Sequence, residues 1–187
     1  KAKVISYFDG NETERLEKLI SELKSGVNLL LVTDAGMPTI SDPGYLLVES
    51  AVSNGINVEV IPGPSAVTTS LAISGLPSER FTFEGFLPRT QNAKEHELDD
   101  LRFEDRTMIF FEAPHRIIET LESLAKIFGG DRSACLCREL TKTHEEIIRG
   151  DLKSLTLWSK SKEMLGEFTI VVAGATKDAR EKSNTEL

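Results

Sequence analysis

The stretch Leu29–Gly44, LLLVTDAGMPTISDPG, decides the fold class. Its opening apolar run suits a buried strand of a parallel sheet, which needs hydrophobic side chains on both faces. The run passes straight into Asp34-Ala35-Gly36-Met37-Pro38 and then Ser41-Asp42-Pro43-Gly44, two turns with a carboxylate in each. In open α/β sheets, ligands lie in the crevice beyond the carboxyl ends of the strands. A carboxylate beside side-chain-free backbone suits a polar small molecule, so the segment predicts a strand ending in a ligand-binding turn.

Upstream, Leu16, Leu19, Ile20 and Leu23 share one helical face and predict a helix over Glu12–Lys24, stopped by Gly26. Asn28–Thr33 is the strand. Downstream, Asp42 as N-cap and Pro43 as first helical residue predict a second helix through Leu46, Leu47, Val48, Ala51 and Val52, ended by Asn54-Gly55. Val58–Ile61 follows as a strand, and strand–helix–strand order makes a βαβ unit with a parallel pair. Ile61-Pro-Gly-Pro-Ser65 is a second turn at a strand end, with Ser65 capping a helix that runs to Ser74-Gly75. Leu76-Pro77-Ser78 breaks the pattern. Residues 1–78 are expected to form a Rossmann-like α/β domain, 79–175 a second α/β domain, and 176–187 a polar, disordered tail.

In the second half, Arg80–Phe86 reads as a strand rich in aromatics. Pro88–Asp105 is the most polar stretch and reads as a loop with a helix at its end. Met108–Phe111 is a buried strand leading into Glu112-Ala113-Pro114-His115-Arg116. Pro114 introduces an amphipathic helix carrying Ile117, Ile118, Leu121, Leu124 and Phe128, ended by Gly129-Gly130. Ala134–Cys137 is a strand, Asp151–Trp158 a helix and Glu167–Ala173 a last strand.

Composition narrows the function classes. With 187 residues, 40% hydrophobic and 28% charged, the chain has the make-up of a globular α/β protein. A net charge of −8 disfavours broad, sequence-blind nucleic-acid binding, so an RNA substrate needs locally clustered basic residues. Cys135 and Cys137 lie one residue apart on one predicted strand and close no useful loop, so no structural disulfide is expected. They and three scattered histidines are too few for a metal site, and none is predicted. No apolar run approaches the roughly 20 residues of a membrane span, and no signal peptide is evident; a cytoplasmic protein is expected. Lys1–Tyr7 reads as the end of an element begun earlier, so an N-terminal segment is expected to be missing.

Chemistry has three candidate locations. The turns at Asp34–Pro43 and Pro62–Ser65 should open on the same side of the sheet, although Asp and Gly also build ordinary turns. Ser65 at a helix N-terminus suits an anion, and capping alone accounts for it too. Neither Gly-x-Gly-x-x-Gly nor a phosphate-cradling loop is present, which makes phosphate-rich cofactors poor candidates. His115 is a base or merely a surface residue in the first turn of a helix; Arg116 beside it could hold a phosphate or pair with a carboxylate. Arg138–Glu146 is the densest polar run near a strand end. It is either a salt-bridged, solvated face or, because Arg138 and Lys142 directly follow a buried strand, a set of charges aimed at the end of the sheet.

Taken together, LLLVTDAGMPTISDPG, VIPGPSAV, GLPSERFTFEGFLPR, IFFEAPHR and CRELTKTHEE resemble the RsmI branch of the tetrapyrrole-methylase-like proteins, from about Ser6 to Gly174. That branch comprises class III methyltransferases that use S-adenosyl-L-methionine and methylate a ribose 2′-hydroxyl of a cytidine in small-subunit (16S) ribosomal RNA. The resemblance implies two α/β domains, each with a partly parallel sheet, a cofactor cleft between them, and a homodimer. It implies that Asp34, Ala35, Gly36, Met37, Pro38 and Ile40 line the methionine and ribose side, that Ser65 and Ala66 flank it, and that Phe111 and Glu112 close it. Glu139 or His115 would accept the hydroxyl proton and Lys142 would stabilise the oxyanion, while Arg80, Arg89, Arg116, Arg138, Lys142 and Arg149 would contact RNA. Two departures are visible: no Pro-Ile-Gly-Asn turn occurs, and Ala113 stands where the branch often has Ser. Two other readings stay open: a methyltransferase of the same fold acting on a small molecule such as a tetrapyrrole, and a cofactor-binding or dimerisation module without turnover.

Overall fold

The computed structural model describes residues 3–177. They group by mutual packing into two units, one ending at Ser65 and the other beginning at Ala66.

The first unit is built on two helices, α1 (Glu12–Lys24) and α2 (Tyr45–Ser53). The predicted stripe is the packing face: Leu19 and Ile20 meet Leu47 and Ala51, with Leu16, Leu23, Leu29 and Ile56 around them. Glu12 in the first turn of α1 accepts a 2.7 Å hydrogen bond from the Gly44 amide at the start of α2, which ties the helix starts together. The N-cap of α2 is therefore Gly44 rather than Asp42. Asp42 instead accepts a 2.9 Å bond from the Thr33 hydroxyl and closes its own loop. Asn54-Gly55 ends α2 as expected, with Gly55 at φ 70°.

The expected strands Asn28–Thr33 and Val58–Ile61 are absent: among the described residues of this unit, none pairs into a sheet. Leu29 and Leu31 turn inward, while Leu30 and Val32 remain 77% and 72% exposed and Ile61 79%. The apolar run thus has one face packed and one face open. A strand needs a neighbour to take its backbone hydrogen bonds, and within residues 3–65 no such neighbour is paired.

The second unit contains α3 (Ala66–Ser74), β1 (Phe81–Phe86), α4 (Gln91–Asp100), β2 (Thr107–Glu112), α5 (Ile117–Phe128), β3 (Ser133–Arg138), β4 (Glu146–Asp151), α6 (Leu152–Lys160) and β5 (Phe168–Val172). The sheet order is β1-β2-β5-β3-β4. β1 and β2 are parallel, and the other pairs are antiparallel. Met108, Phe110, Leu136, Ile170 and Val172 point to one face, against Leu98 of α4, Ile117, Leu121 and Leu124 of α5, and Leu152 and Leu155 of α6. The alternate residues Ile109, Cys135, Cys137 and Val171 point to the other face, covered by Val67 and Leu71 of α3. Because α3 packs here, the chain divides at Ser65, ahead of the expected break at Leu76–Ser78.

Two elements differ from expectation. α4 occupies most of what reads as a polar loop, because only Lys94 and Leu98 turn inward, and the buried Lys94 ammonium meets Glu119 at 2.7 Å. β4 emerges from the polar run after Arg138: it is an edge strand whose only apolar residues are Ile147 and Ile148, too few to announce a strand. The α6 start agrees better. Asp151 and Ser154 form a reciprocal capping box, the Ser154 amide donating to the Asp151 carboxylate at 2.6 Å. Cys135 and Cys137 are free, buried thiols on the same face. The expected tail beyond residue 177 lies outside the described residues.

Two consequences are measurable. A Cβ on Gly174 would overlap the Asp105 carbonyl, so Gly174→Ala destabilises the protein by about 1–3 kcal/mol, read from the midpoint of urea unfolding. Arg106 hydrogen-bonds both oxygens of Glu104 and holds its carboxyl down at about 2. A carboxyl depressed on folding contributes stability above its ordinary value and loses it as pH falls toward the folded one. Glu104→Gln is therefore destabilised at neutral pH and loses less stability than the parent on acidification between about pH 5 and pH 2.

Candidate active site

In the first unit the turns at Asp34–Pro43 and Pro62–Ser65 come together. Met37 lies over Gly63 so closely that a Cβ there would sit 3.2 Å from the Met37 sulfur. Thr39 (φ 73°) and Ser41 (φ 55°) occupy left-handed conformations that side chains other than glycine rarely adopt. Each costs of order 1–3 kcal/mol, and such residues cluster at ligand clamps. Local bonds hold them: the Thr39 amide donates to Pro43 at 3.4 Å and the Ile40 amide to Met37 at 3.3 Å. Asp34, Ala35 and Gly36 are exposed, Gly36 has open space around it, and Met37 and Pro38 are half-buried. Open backbone, a solvent-facing carboxylate and the apolar Met37, Pro38 and Ile40 suit a nucleoside carrying an amino-acid tail. Ser65 ends this unit and Ala66 opens α3. A groove of about 490 Å³ between α1 and α2, lined by Leu16, Ile20, Lys24, Ser50 and Asn54 among others, holds none of the expected site residues.

In the second unit, Glu112 at the end of β2 is turned fully inward. Its carboxylate accepts from the Ala113 amide at 2.8 Å and the Thr120 hydroxyl at 2.6 Å, and lies 3.4 Å from Arg116. Arg116 in turn donates to the carbonyls of Leu87 and Pro88, both at 2.8 Å. These two residues act as a strut between β2, α5 and the segment after β1, and their side chains turn away from solvent. Phe111, one residue earlier, faces the other side, edge-on to Phe83 and Phe86 at 4.8 and 5.7 Å. His115 is exposed, with no hydrogen bond to Glu139 or Lys142.

The Arg138–Lys142 segment is a knot of charges at the end of β3. Lys142 bridges Glu139 and Glu167, at 2.9 Å to each. The Glu167 amide donates to Glu139, and the Glu139 side chain lies across Gly166, leaving no room for a Cβ. Glu139 itself is held at φ 49°. The Glu167 amide first, and Lys142 second, hold the Glu139 carboxyl below its ordinary value. Glu167 and Glu139 hold the Lys142 ammonium above its own. A carboxylate so engaged is a weaker proton acceptor than a free one.

The remaining basic residues divide by partner. Arg138 donates to the Leu165 carbonyl and pairs with Glu146, both at 2.6 Å, and Arg149 donates to the Ile73 carbonyl of α3. Arg80 lies 3.9 Å from Asp105 with most of its side chain exposed. Arg89 is exposed and makes no hydrogen bond or ion pair among the described residues. Sequence reasoning missed Glu167, Thr120 and the Phe83–Phe86–Phe111 cluster. Only the cluster left a trace, as aromatics in Phe81–Phe86. Among the described residues, no group of three His, Cys, Asp or Glu side chains is arranged to hold a metal ion, and no helix is long and apolar enough to cross a membrane.

Comparison with known proteins places this geometry. The chain is 49% identical over 95% of its length to "Ribosomal RNA small subunit methyltransferase I" of Mycobacterium tuberculosis (strain CDC 1551 / Oshkosh), and spans 62% of that protein. It is 42% identical over 93% of its length to the protein of the same name from Thermotoga maritima, and spans 78% of it. Among solved structures, the methyltransferase CobJ superposes with a TM-score of 0.65 at 20% identity, covering 88% of this chain and 72% of that one. Uroporphyrin-III C-methyl transferase from Thermus thermophilus, complexed with S-adenyl homocysteine, gives 0.56 at 16% identity, with 86% and 73% covered. At those identities the structures speak for the fold alone. Residues 4–156 match the family described as Tetrapyrrole (Corrin/Porphyrin) Methylases, and with relatives this similar the chain belongs to that family.

Proposed function

We propose that this chain is the methyl-transferring part of an enzyme that uses S-adenosyl-L-methionine to methylate a ribose 2′-hydroxyl of a cytidine in small-subunit ribosomal RNA. The observation that carries this reading is the 49% identity to a protein named for that RNA, extending over nearly the whole chain. The joined turns of the first unit support it. Asp34 would meet the polar groups of the cofactor, the Ala35-Gly36 backbone would lie against it, and Met37, Pro38 and Ile40 would form its apolar wall. Ser65, Ala66 and Phe111 are the remaining cofactor contacts in this reading, and Glu112 braces the end of β2 that carries Phe111. We take residues 1–78 and 79–175 as the two functional halves, working in the cytoplasm as a homodimer.

The cofactor supplies an electrophilic methyl group on a sulfonium, which needs neither metal nor covalent help. The protein's part is alignment, which contributes about 7–11 kcal/mol when the reacting atoms are held in line. A 2′-hydroxyl is a poor nucleophile until its proton finds an acceptor. His115, exposed and without a side-chain partner among the described residues, fits that task better than Glu139, whose carboxyl is tied to Lys142 and the Glu167 amide. Lys142, kept cationic by two carboxylates, is the natural partner for the developing oxyanion. Arg80 and Arg89, both with exposed side chains, would meet RNA phosphates, with Arg138 and Arg149 as further RNA contacts in this reading.

Cells lacking this protein should carry small-subunit ribosomal RNA short of one ribose methyl group, seen by mass analysis of nuclease fragments and restored with the gene. An unchanged methylation pattern refutes the assignment. Lys142→Ala should lower turnover on small ribosomal subunits by about 100-fold while S-adenosylhomocysteine binding, measured by calorimetry, stays within a factor of two or so. Normal turnover would remove Lys142 from the chemistry.

A further inference from the structure

β1 contains a bulge. Phe83 pairs with Ile109 and Phe86 with Phe111, although two residues lie between Phe83 and Phe86 and only one between Ile109 and Phe111. The register slips between Phe83 and Gly85, and Gly85 adopts φ 68° to allow it. In an unbroken strand, residues three apart point to opposite faces. The bulge returns Phe86 to the face of Phe83 and Phe111, where the rings stack edge-to-face. Bulges re-aim side chains in this way, and do so beside functional sites.

The re-aimed ring is not used to fill the core. Phe86 stays 52% exposed, and Phe81 on the same edge strand 38%. Behind it, the buried Glu112–Arg116 strut grips the carbonyls of Leu87 and Pro88, the two residues that follow Phe86. Next in the chain comes Arg89, exposed and without a partner among the described residues. A flat apolar face is thus displayed to solvent on a backbone fixed by a bulge and an ion pair, with an exposed guanidinium three residues on.

The geometry points to Phe86 as a stacking platform for an unpaired nucleobase of the RNA substrate, with Arg89 meeting the adjoining phosphate. This inference rests on the RNA-methylation reading above. Single-stranded RNA is recognised by stacking splayed bases on aromatic side chains and by contacts to the backbone. A protein of net charge −8 has little long-range attraction to offer. Stacking, which is insensitive to net charge, supplies affinity where electrostatics do not.

The test uses small ribosomal subunits from cells lacking this protein as substrate, with S-adenosylhomocysteine calorimetry run in parallel. Phe86→Ala and Phe86→Leu raise the KM for subunits about tenfold or more, the size of one lost base–aromatic stack. Phe86→Trp, which keeps a stacking face, restores it, and the affinity for S-adenosylhomocysteine is unchanged in all three. Arg89→Gln raises the same KM and lessens its dependence on salt. Phe86→Leu with the parental KM for subunits overturns the proposal. So does an equal loss of S-adenosylhomocysteine affinity, which would give the ring to the cofactor and leave the RNA reading standing. If the parent protein itself transfers no methyl to subunits, the functional reading fails first and this inference with it.

Discussion

A charged carboxylate with no exposed surface is the constraint on which the second unit turns. The Glu112 side chain is fully buried at the end of β2, where an unpartnered charge costs several kcal/mol. It is made tolerable by the Thr120 hydroxyl, the Ala113 amide and the Arg116 guanidinium. Those partners belong to the turn after β2 and to the start of α5, so meeting the needs of the carboxylate sets where the helix begins. Arg116 then carries the constraint outward to Leu87 and Pro88. One buried charge therefore orders the ends of two parallel strands and the segment that presents Phe86 and Arg89. Removing the carboxylate alone would strand Arg116, which is why the pair is better regarded as a single strut than as two contacts.

The charge knot after β3 works differently. Glu139, Lys142 and Glu167 are linked side chain to side chain, and exposed ion pairs of this kind contribute little to stability. What the knot does is hold a loop in an unfavourable backbone. Glu139 and Thr141 both have positive φ, and Gly166 exists as a glycine to admit the Glu139 side chain. The polar network thus offsets backbone strain of order 1–3 kcal/mol per residue at this strand end. The Thr39–Ser41 turn of the first unit has the same character with different means, its two positive-φ residues resting on backbone bonds and on the Thr33–Asp42 contact.

The features that carry the proposed function also explain which parts of the site could be read from sequence. Although the expected strand does not form, Asp34, Gly36 and Pro38 follow a continuous apolar run, so a turn there was legible. That Met37 would lie over Gly63 was not, because the two turns are joined by packing and separated by a helix. Glu112 and Arg116 looked like candidates for solvent or ligand, four residues apart in a motif. Their inward orientation depends on Thr120 and on two carbonyls of another segment, none of which a local pattern reveals. The bulge at Gly85 left only a glycine between aromatics.

Period and punctuation in the chain by themselves determined the helices α1, α5 and α6 and the strands β2, β3 and β5. Those are local matters: an apolar stripe, a capping residue and a glycine stop act within a few residues of each other. Tertiary structure alone decided that Leu29–Val32 packs one face and pairs with nothing in its unit, that the polar Gln91–Asp100 is a helix, and that Glu146–Asp151 joins the sheet edge. Each of those outcomes depends on what another segment offers. A backbone becomes a strand only when a neighbour takes its hydrogen bonds, and the polar α4 holds where Glu119 of α5 meets its buried Lys94.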